Sequence, residues 1–160
     1  MEAMDDLVVV EAERRTLLAL AYRLLGTVAD AEDAVQETYV RWVRLTDAER
    51  AGIVNPGAWL TRVAGRICLD ALGSARARRE SYVGQWLPEP VPQDSLFVTP
   101  SPDPLDRVCL GESVGMALLV LLESLTPPER VAFVLHDVFG VPFAEIAETV
   151  GRSTDAVRQL

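Results

Sequence analysis

The chain contains no lysine, so all 15 of its basic residues are arginine. Cysteine is scarce. Cys68 and Cys109 stand far apart in apolar stretches, without Cys-x-x-Cys spacing or a nearby second ligand. They read as independent buried thiols suited to a reducing compartment. His136 is the single histidine, which rules out a zinc site built from several imidazoles. In FVLHDVFG it reads as a packing or hydrogen-bonding residue, with a proton relay as the minor alternative. No apolar run approaches the roughly 20 residues that a membrane-spanning helix needs. The start, MEAMDDLVVVEAERR, has neither a basic n-region nor a small-residue cleavage pattern, so a secretory signal is not expected and the cytoplasm is the expected location. There is no Ser-His-Asp, metal-ligand or glycine-rich phosphate pattern either. Neither an enzyme nor a cofactor is therefore expected, and catalysis by acidic residues with His136 lacks a convincing arrangement.

What is present is an uneven distribution of charge. The formal net charge is −9, which by itself argues against a partner as anionic as nucleic acid. Yet Arg62, Arg66, Arg76, Arg78 and Arg79 fall within one short stretch, and Asp30, Glu32, Asp33 and Glu37 crowd into another. Such a division suits a protein that meets one basic protein surface and one anionic polymer. Each cluster can equally be a solvated helix face.

Apolar spacing predicts helices throughout. Leu17, Leu20, Ala21, Leu24 and Leu25 recur at three-and-four spacing up to Gly26. A second helix is expected with Asp30 as N-cap and Glu32 and Asp33 in its first turn, running through AVQETYVRWVRL. Its inner face should hold Ala34, Val35, Thr38, Trp42 and either Val43 or Leu45. Asn55-Pro56 is a strong helix start. Beyond it Trp59, Leu60, Val63, Ala64, Ile67, Cys68, Ala71 and Leu72 keep the period, with Trp59 expected in the core. After Arg79 the prolines at 88, 90, 92, 100, 102 and 104 deny both helix interior and sheet ladder. This stretch reads as a linker, in which Trp86 either docks on a surface or is simply exposed.

Helical period resumes in LDRVCLGESVGMALLVLLESL. Thr126 with Glu129 forms a capping box around a proline at the first helical position, and Gly140 and Pro142 close the helix that follows. A short helix from Phe143 to Val150 buries Ile146, Ala147 and Val150. Gly151 turns it, Ser153 caps the next helix, and Val157 and Leu160 should face inward. Two short amphipathic helices joined by a tight glycine turn make a helix-turn-helix, whose second helix enters a DNA major groove in DNA-binding examples. The fold class is therefore all-α: a helical bundle over 1–80, a Pro-rich linker over 81–104 and a helix-turn-helix unit over 105–160. Separate interiors are expected for the two units, and the idea that one helix grips a protein partner while its arginine-bearing neighbour takes the DNA collapses if they share a common hydrophobic interior.

Taken in order, YRLLGTVADAEDAVQETYVRWVRL, NPGAWLTRVAGRICLDALGSARARRE and LTPPERVAFVLHDVFGVPFAEIAETVGRSTDAVRQL resemble the extracytoplasmic-function sigma factors of bacterial RNA polymerase. WLPEPV in the linker is similar to the sigma-J-like subgroup. The resemblance covers nearly the whole chain. It implies a non-enzymatic transcription initiation factor whose partners are core RNA polymerase and promoter DNA.

By that resemblance the first unit is sigma domain two. DAEDAVQE matches the clamp-binding segment, so Asp30, Glu32, Asp33, Gln36 and Glu37 are the expected polymerase face, where carboxylates can pair with basic residues of the clamp. WLTRVAGRICLDALGSARARR matches the segment that melts the minus-ten element, which makes Arg62, Arg66, Arg76, Arg78 and Arg79 the expected strand contacts. Gly73 and Arg66 depart from residues common in relatives, so base preference does not carry across. The second unit resembles sigma domain four, with Ser153 and Thr154 near phosphates and Arg158 and Gln159 at base or phosphate positions. Relatives continue this helix with further basic residues, so a longer chain is expected. In the sigma-J-like subgroup a SnoaL-like domain follows, and an anti-sigma partner is a further option. The competing reading is a stand-alone helix-turn-helix regulator that binds duplex DNA without polymerase.

Overall fold

The structure, a computed structural model, describes residues 2–79, 90 and 121–160, with side chains described over 8–74, 90 and 121–160. All regular structure among these residues is helical. Helix α1 spans Glu2–Leu25 and stops at Gly26, whose φ of 84° lies in the left-handed region that glycine tolerates. The two-residue turn folds α2 (Val28–Arg44) back onto α1. The N-cap of α2 is Thr27 and not Asp30: Thr27 has an extended backbone and its Oγ1 accepts from the Asp30 amide at 3.2 Å. Asp30 instead sits inside the first turn, where its charge meets the positive end of the helix dipole.

The inner face of α2 holds Ala31, Ala34, Val35, Thr38 and Trp42. Thr38 satisfies its buried hydroxyl by donating to the Ala34 carbonyl at 2.8 Å. Of the two residues open for the end of this face, Leu45 packs on the core while Val43 is 59% exposed. A short helix absent from the sequence expectations, α3 (Asp47–Ala51), follows, opened by a capping box between Thr46 and Glu49. Helix α4 (Pro56–Arg79) begins where expected, with Asn55 Oδ1 accepting from the Ala58 amide at 3.0 Å. It buries Leu60, Ala64, Cys68 and Leu72 against α1 and α2. Trp59 is partly buried and meets Trp42 edge-on with ring centroids 5.3 Å apart. Burial pushes the Cys68 thiol up to about 12, so it stays protonated and inert at neutral pH.

The linker, including Trp86, and the stretch from Leu105 to residue 120, where helical period was expected, lie outside the described residues, apart from Pro90, which is exposed. Residues 121–124 are helical. Helix α5 (Pro127–Phe133) carries the expected proline start, with the Thr126 amide donating to Glu129 Oε2 at 2.7 Å. It does not run on as an α-helix. Val134–Val138 form a π-helical turn, which buries both Val134 and Leu135 before Gly140 (φ 66°) ends it. Helix α6 (Phe143–Val150) buries Ile146, Ala147 and Val150 as expected. Gly151 then turns the chain at φ 67° into α7 (Thr154–Arg158). Val157 is buried, but Leu160 is exposed, because α7 has already ended at Arg158.

The two blocks do not keep separate interiors. Helix α4 packs on α5 and α6, α1 touches the π turn, and one hydrophobic cluster runs through both blocks. The expectation of separate cores is corrected here. The physical reason is Gly65: a Cβ at this position would lie 3.1 Å from Thr149 Cγ2 and 3.4 Å from Leu135 Cδ1. The bare backbone of α4 thus admits the second block to close range.

The capping assignment is directly testable. Thr27→Ala should lower the unfolding free energy by about 1 kcal/mol, and Asp30→Ala by no more than about 0.3–1 kcal/mol. Urea denaturation checks it, and the reverse order would restore Asp30 as the cap.

Candidate nucleic-acid interface

Helix α2 presents opposite chemistry on its two sides. Asp30, Glu32, Asp33, Gln36 and Glu37 are all exposed, while the residues between them are buried. The 3.6-residue period therefore gathers four carboxylates and one amide onto a single solvent face. Glu37 pairs with Arg41 one turn on, at 3.1 Å, leaving the N-terminal acids as the concentrated part. Beside this face, α1 and α2 enclose a cleft of about 390 Å³ lined by Arg14, Leu18, Glu32, Val35, Gln36 and Tyr39. Tyr39 anchors it by donating to the Val10 carbonyl at 3.3 Å, and burial raises its phenol above the ordinary range. The cleft sets one acid, Glu32, and one base, Arg14, beside the apolar Leu18 and Val35.

Arg62 and Arg66 lie one turn apart on α4, as the sequence spacing implied, but that face is not open. Arg62 Nη1 donates to Glu148 Oε2, and Arg66 Nη1 donates to the Thr149 carbonyl at 3.2 Å. Arg66 also lies 3.6 Å from Asp70 on its own helix. Both guanidinium groups are thus engaged by the last turn of α6, though their side chains remain 40% and 49% exposed. Arg76, Arg78 and Arg79 continue the α4 backbone, and their side chains lie outside the described residues.

In the second block, the α6–Gly151–α7 unit has the geometry of a helix-turn-helix. The exposed Ser153 uses its hydroxyl to accept from the Ala156 amide at 3.2 Å, so it caps α7. Thr154 is partly exposed, and Arg158 and Gln159 are exposed. Arg158 lies 3.5 Å from Asp155 and 5.8 Å above the Phe143 ring. His136 stacks on the same Phe143 ring, with centroids 4.1 Å apart, in keeping with a packing role. The structure thus gathers Ser153, Thr154, Arg158 and Gln159 on one element and Arg62 and Arg66 on another.

The contact of α4 with α6 and the π turn involves residues that sequence reasoning did not single out: Gly65, Leu135, Glu148 and Thr149. Arg23 joins it from α1, set 5.7 Å above the Phe139 ring, and burial holds its guanidinium below the ordinary arginine range. One signal was available. Glycine inside a strongly periodic helix costs about 1 kcal/mol relative to alanine and commonly marks a close approach. Nothing in the sequence marked Glu148, which lies on the polar side of a short helix.

The described residues thus form an all-α fold in which an acid-faced bundle is followed by a helix-turn-helix. Residues 9–78 match the family model for sigma-70 region 2, and residues 115–160 match that for sigma-70, region 4. The chain is 54% identical over 150 residues to the ECF RNA polymerase sigma factor SigJ of Mycobacterium tuberculosis, covering 94% of this chain and 46% of that protein. It is 42% identical over 151 residues to the probable ECF RNA polymerase sigma factor SigI of the same species, covering 93% of this chain and 49% of that protein. The crystal structure of M. tuberculosis SigJ superposes with a TM-score of 0.63 at 50% identity, over 93% of this chain and 48% of that one. The chain belongs to the extracytoplasmic-function sigma factors and resembles their SigJ-like subgroup. Sigma factors are non-catalytic regulatory proteins. The chain spans about half the length of the curated relatives it matches.

The turn of the helix-turn-helix rests on a left-handed residue. Gly151→Ala should destabilise the second block by about 1–2 kcal/mol, the usual cost of a Cβ in that backbone region. Urea unfolding followed by hydrogen exchange of α6 amides checks it, and unchanged protection would show that the turn relaxes without cost.

Proposed function

We propose that this chain carries the polymerase-binding and promoter-binding parts of an alternative sigma factor, which acts in the cytoplasm by giving core RNA polymerase its promoter specificity. The observation that carries the reading is the spatial division of charge: an exposed carboxylate face on α2 beside an arginine-bearing α4 in the same bundle. The matches to sigma-70 regions 2 and 4, in that order, support it.

In this reading Asp30, Glu32, Asp33, Gln36 and Glu37 form the polymerase face. Charge there steers encounter with a basic clamp surface and fixes orientation more than it adds affinity. Arg62, Arg66, Arg76, Arg78 and Arg79 bind the separated promoter strand. Opening the duplex requires no covalent step, only a surface that holds single-stranded DNA better than duplex through cations along the backbone and sites for unstacked bases. Ser153, Thr154, Arg158 and Gln159 approach the minus-thirty-five element, where exposed polar and guanidinium groups can meet phosphates and base edges. An anti-sigma partner or a following SnoaL-like domain would act on this framework from outside the residues described.

Capture of core polymerase followed by run-off transcription on genomic promoters tests the function as a whole; failure in both would refute it. Two sets of variants test the faces. Glu32→Lys with Asp33→Lys should reduce core polymerase capture severalfold while the circular dichroism spectrum stays unchanged, and full capture would remove that face from the reading. Replacing Arg76, Arg78 and Arg79 by Ala should weaken promoter-strand binding and flatten its dependence on salt, because fewer phosphates are neutralised. An unchanged salt slope would show that these arginines do not follow the strand.

A further inference from the structure

One aromatic ring ties together three elements of the second block. Phe143 opens α6 and is partly buried. The imidazole of His136 stacks on it nearly in parallel, with 4.1 Å between centroids and 11° between planes. His136 belongs to the π-helical turn, whose wider hydrogen bonds, such as that from the Phe139 amide to the Val134 carbonyl at 3.3 Å, turn its residues away from the directions an α-helix would give them. Arg158, in the last turn of α7, sets its Cζ 5.8 Å over the same ring. Its other neighbour is Asp155, whose Oδ1 lies 3.5 Å from Nη1, beyond the usual range of a hydrogen bond, on a side chain that is 89% exposed. The Arg158 side chain is itself 60% exposed.

These two neighbours act differently on a guanidinium. A carboxylate takes up N–H donors, whereas an aromatic face attracts the cation through its quadrupole and uses none of them. A guanidinium held by a ring therefore keeps its in-plane donors for a phosphate or for the O6 and N7 edge of guanine. The ring also restricts the long side chain before DNA arrives, so less rotamer freedom is lost on binding. We infer that Phe143 is a positioning residue: steadied by His136, its ring holds the Arg158 guanidinium in the orientation that meets duplex DNA. The inference rests on the reading of Arg158 as a DNA contact and adds the group that orients it. Phe143 itself touches neither base nor phosphate. Its removal is felt through Arg158, and that of His136 through Phe143.

The test uses the 160-residue chain and fluorescent duplex DNA of mixed sequence, with binding followed by anisotropy. Phe143→Leu keeps an apolar side chain and removes the aromatic face. It should weaken duplex binding by about two- to fivefold, the fold-change that corresponds to an exposed cation–π contact. Phe143→Tyr, which retains the ring, should bind as the unaltered chain does, and Phe143→Leu should cost nothing further once Arg158→Ala is present. His136→Ala should weaken binding no more than Phe143→Leu and add nothing to it. A DNA-free readout comes from nuclear magnetic resonance: the ring shifts the Arg158 Nε–H resonance, and Phe143→Leu should return it to the ordinary arginine position. An equal loss from Phe143→Leu with and without Arg158 would make the ring merely structural and overturn the inference. An Arg158 resonance that Phe143→Leu leaves unmoved would overturn it as well. If Arg158→Ala weakens binding while Phe143→Leu does not, the DNA contact stands and the positioning role falls. If Arg158→Ala has no effect on duplex binding, the reading of Arg158 falls and the positioning role falls with it.

Discussion

The close approach of α4 to the second block at Gly65 is the contact on which the rest of the arrangement depends. A helix normally keeps a neighbour about 8–10 Å away, axis to axis, by the bulk of its side chains. Where α4 has only hydrogen, Leu135 and Thr149 come against the backbone, and Leu135 is wholly withdrawn from water. Full burial of a leucine stabilises by roughly 1.5–3 kcal/mol, which exceeds the ~1 kcal/mol that glycine costs the helix. The π-helical turn serves the same contact, since it keeps consecutive residues Val134 and Leu135 inside. Once the backbones are this near, Arg62 and Arg66 fall within reach of the end of α6, and the polar rim follows from the apolar centre.

Charge is organised around that contact on two length scales. Along α2 the helical period alone separates the exposed Asp30, Glu32, Asp33, Gln36 and Glu37 from five buried residues, so the acidic face exists however the second block sits. The arginine face of α4 is different. Its exposure depends on a neighbour 80 or more residues away in the chain, as the 83- and 86-residue separations of its two contacts show. One face is thus a property of a helix and the other a property of the assembled fold.

The shared interior bears on how the family membership is understood. On sequence grounds a common core counted against two units with separate tasks, because parts that share an interior cannot present all their surfaces at once. The matches to sigma-70 regions 2 and 4 do not depend on how the blocks sit, and they outweigh that expectation. Inter-domain contacts within a chain resemble transient interfaces more than permanent ones. A seam with an apolar centre around one glycine and an exposed ion pair at its rim can therefore be described as a closed arrangement of two units.

Local chemistry made much of this protein legible from its residues. The stop at Gly26, the Asn55-Pro56 start, the Thr126–Glu129 pairing and the Gly151 turn each need only neighbours within a few residues, and the buried stripes of α2, α4 and α6 need only the helical period, whereas α1 is buried without a break from Leu17 to Ala21 and so exceeds the single stripe expected of it. Near misses share a cause: at Asp30 two suitable caps stood three residues apart, and backbone dihedrals chose Thr27. The π turn and α3 were not readable, because an extra residue in a helix and a five-residue capped turn leave almost no periodic signal. The sequence by itself determined the longer helices, the buried faces of α2, α4 and α6 and the acidic surface, all of them consequences of interactions along one segment. Only the tertiary structure decided that the two interiors join and that Arg62 and Arg66 face Glu148 and Thr149. Such contacts depend on where a chain returns after a long excursion, and the spacing of residues within a helix carries no record of that.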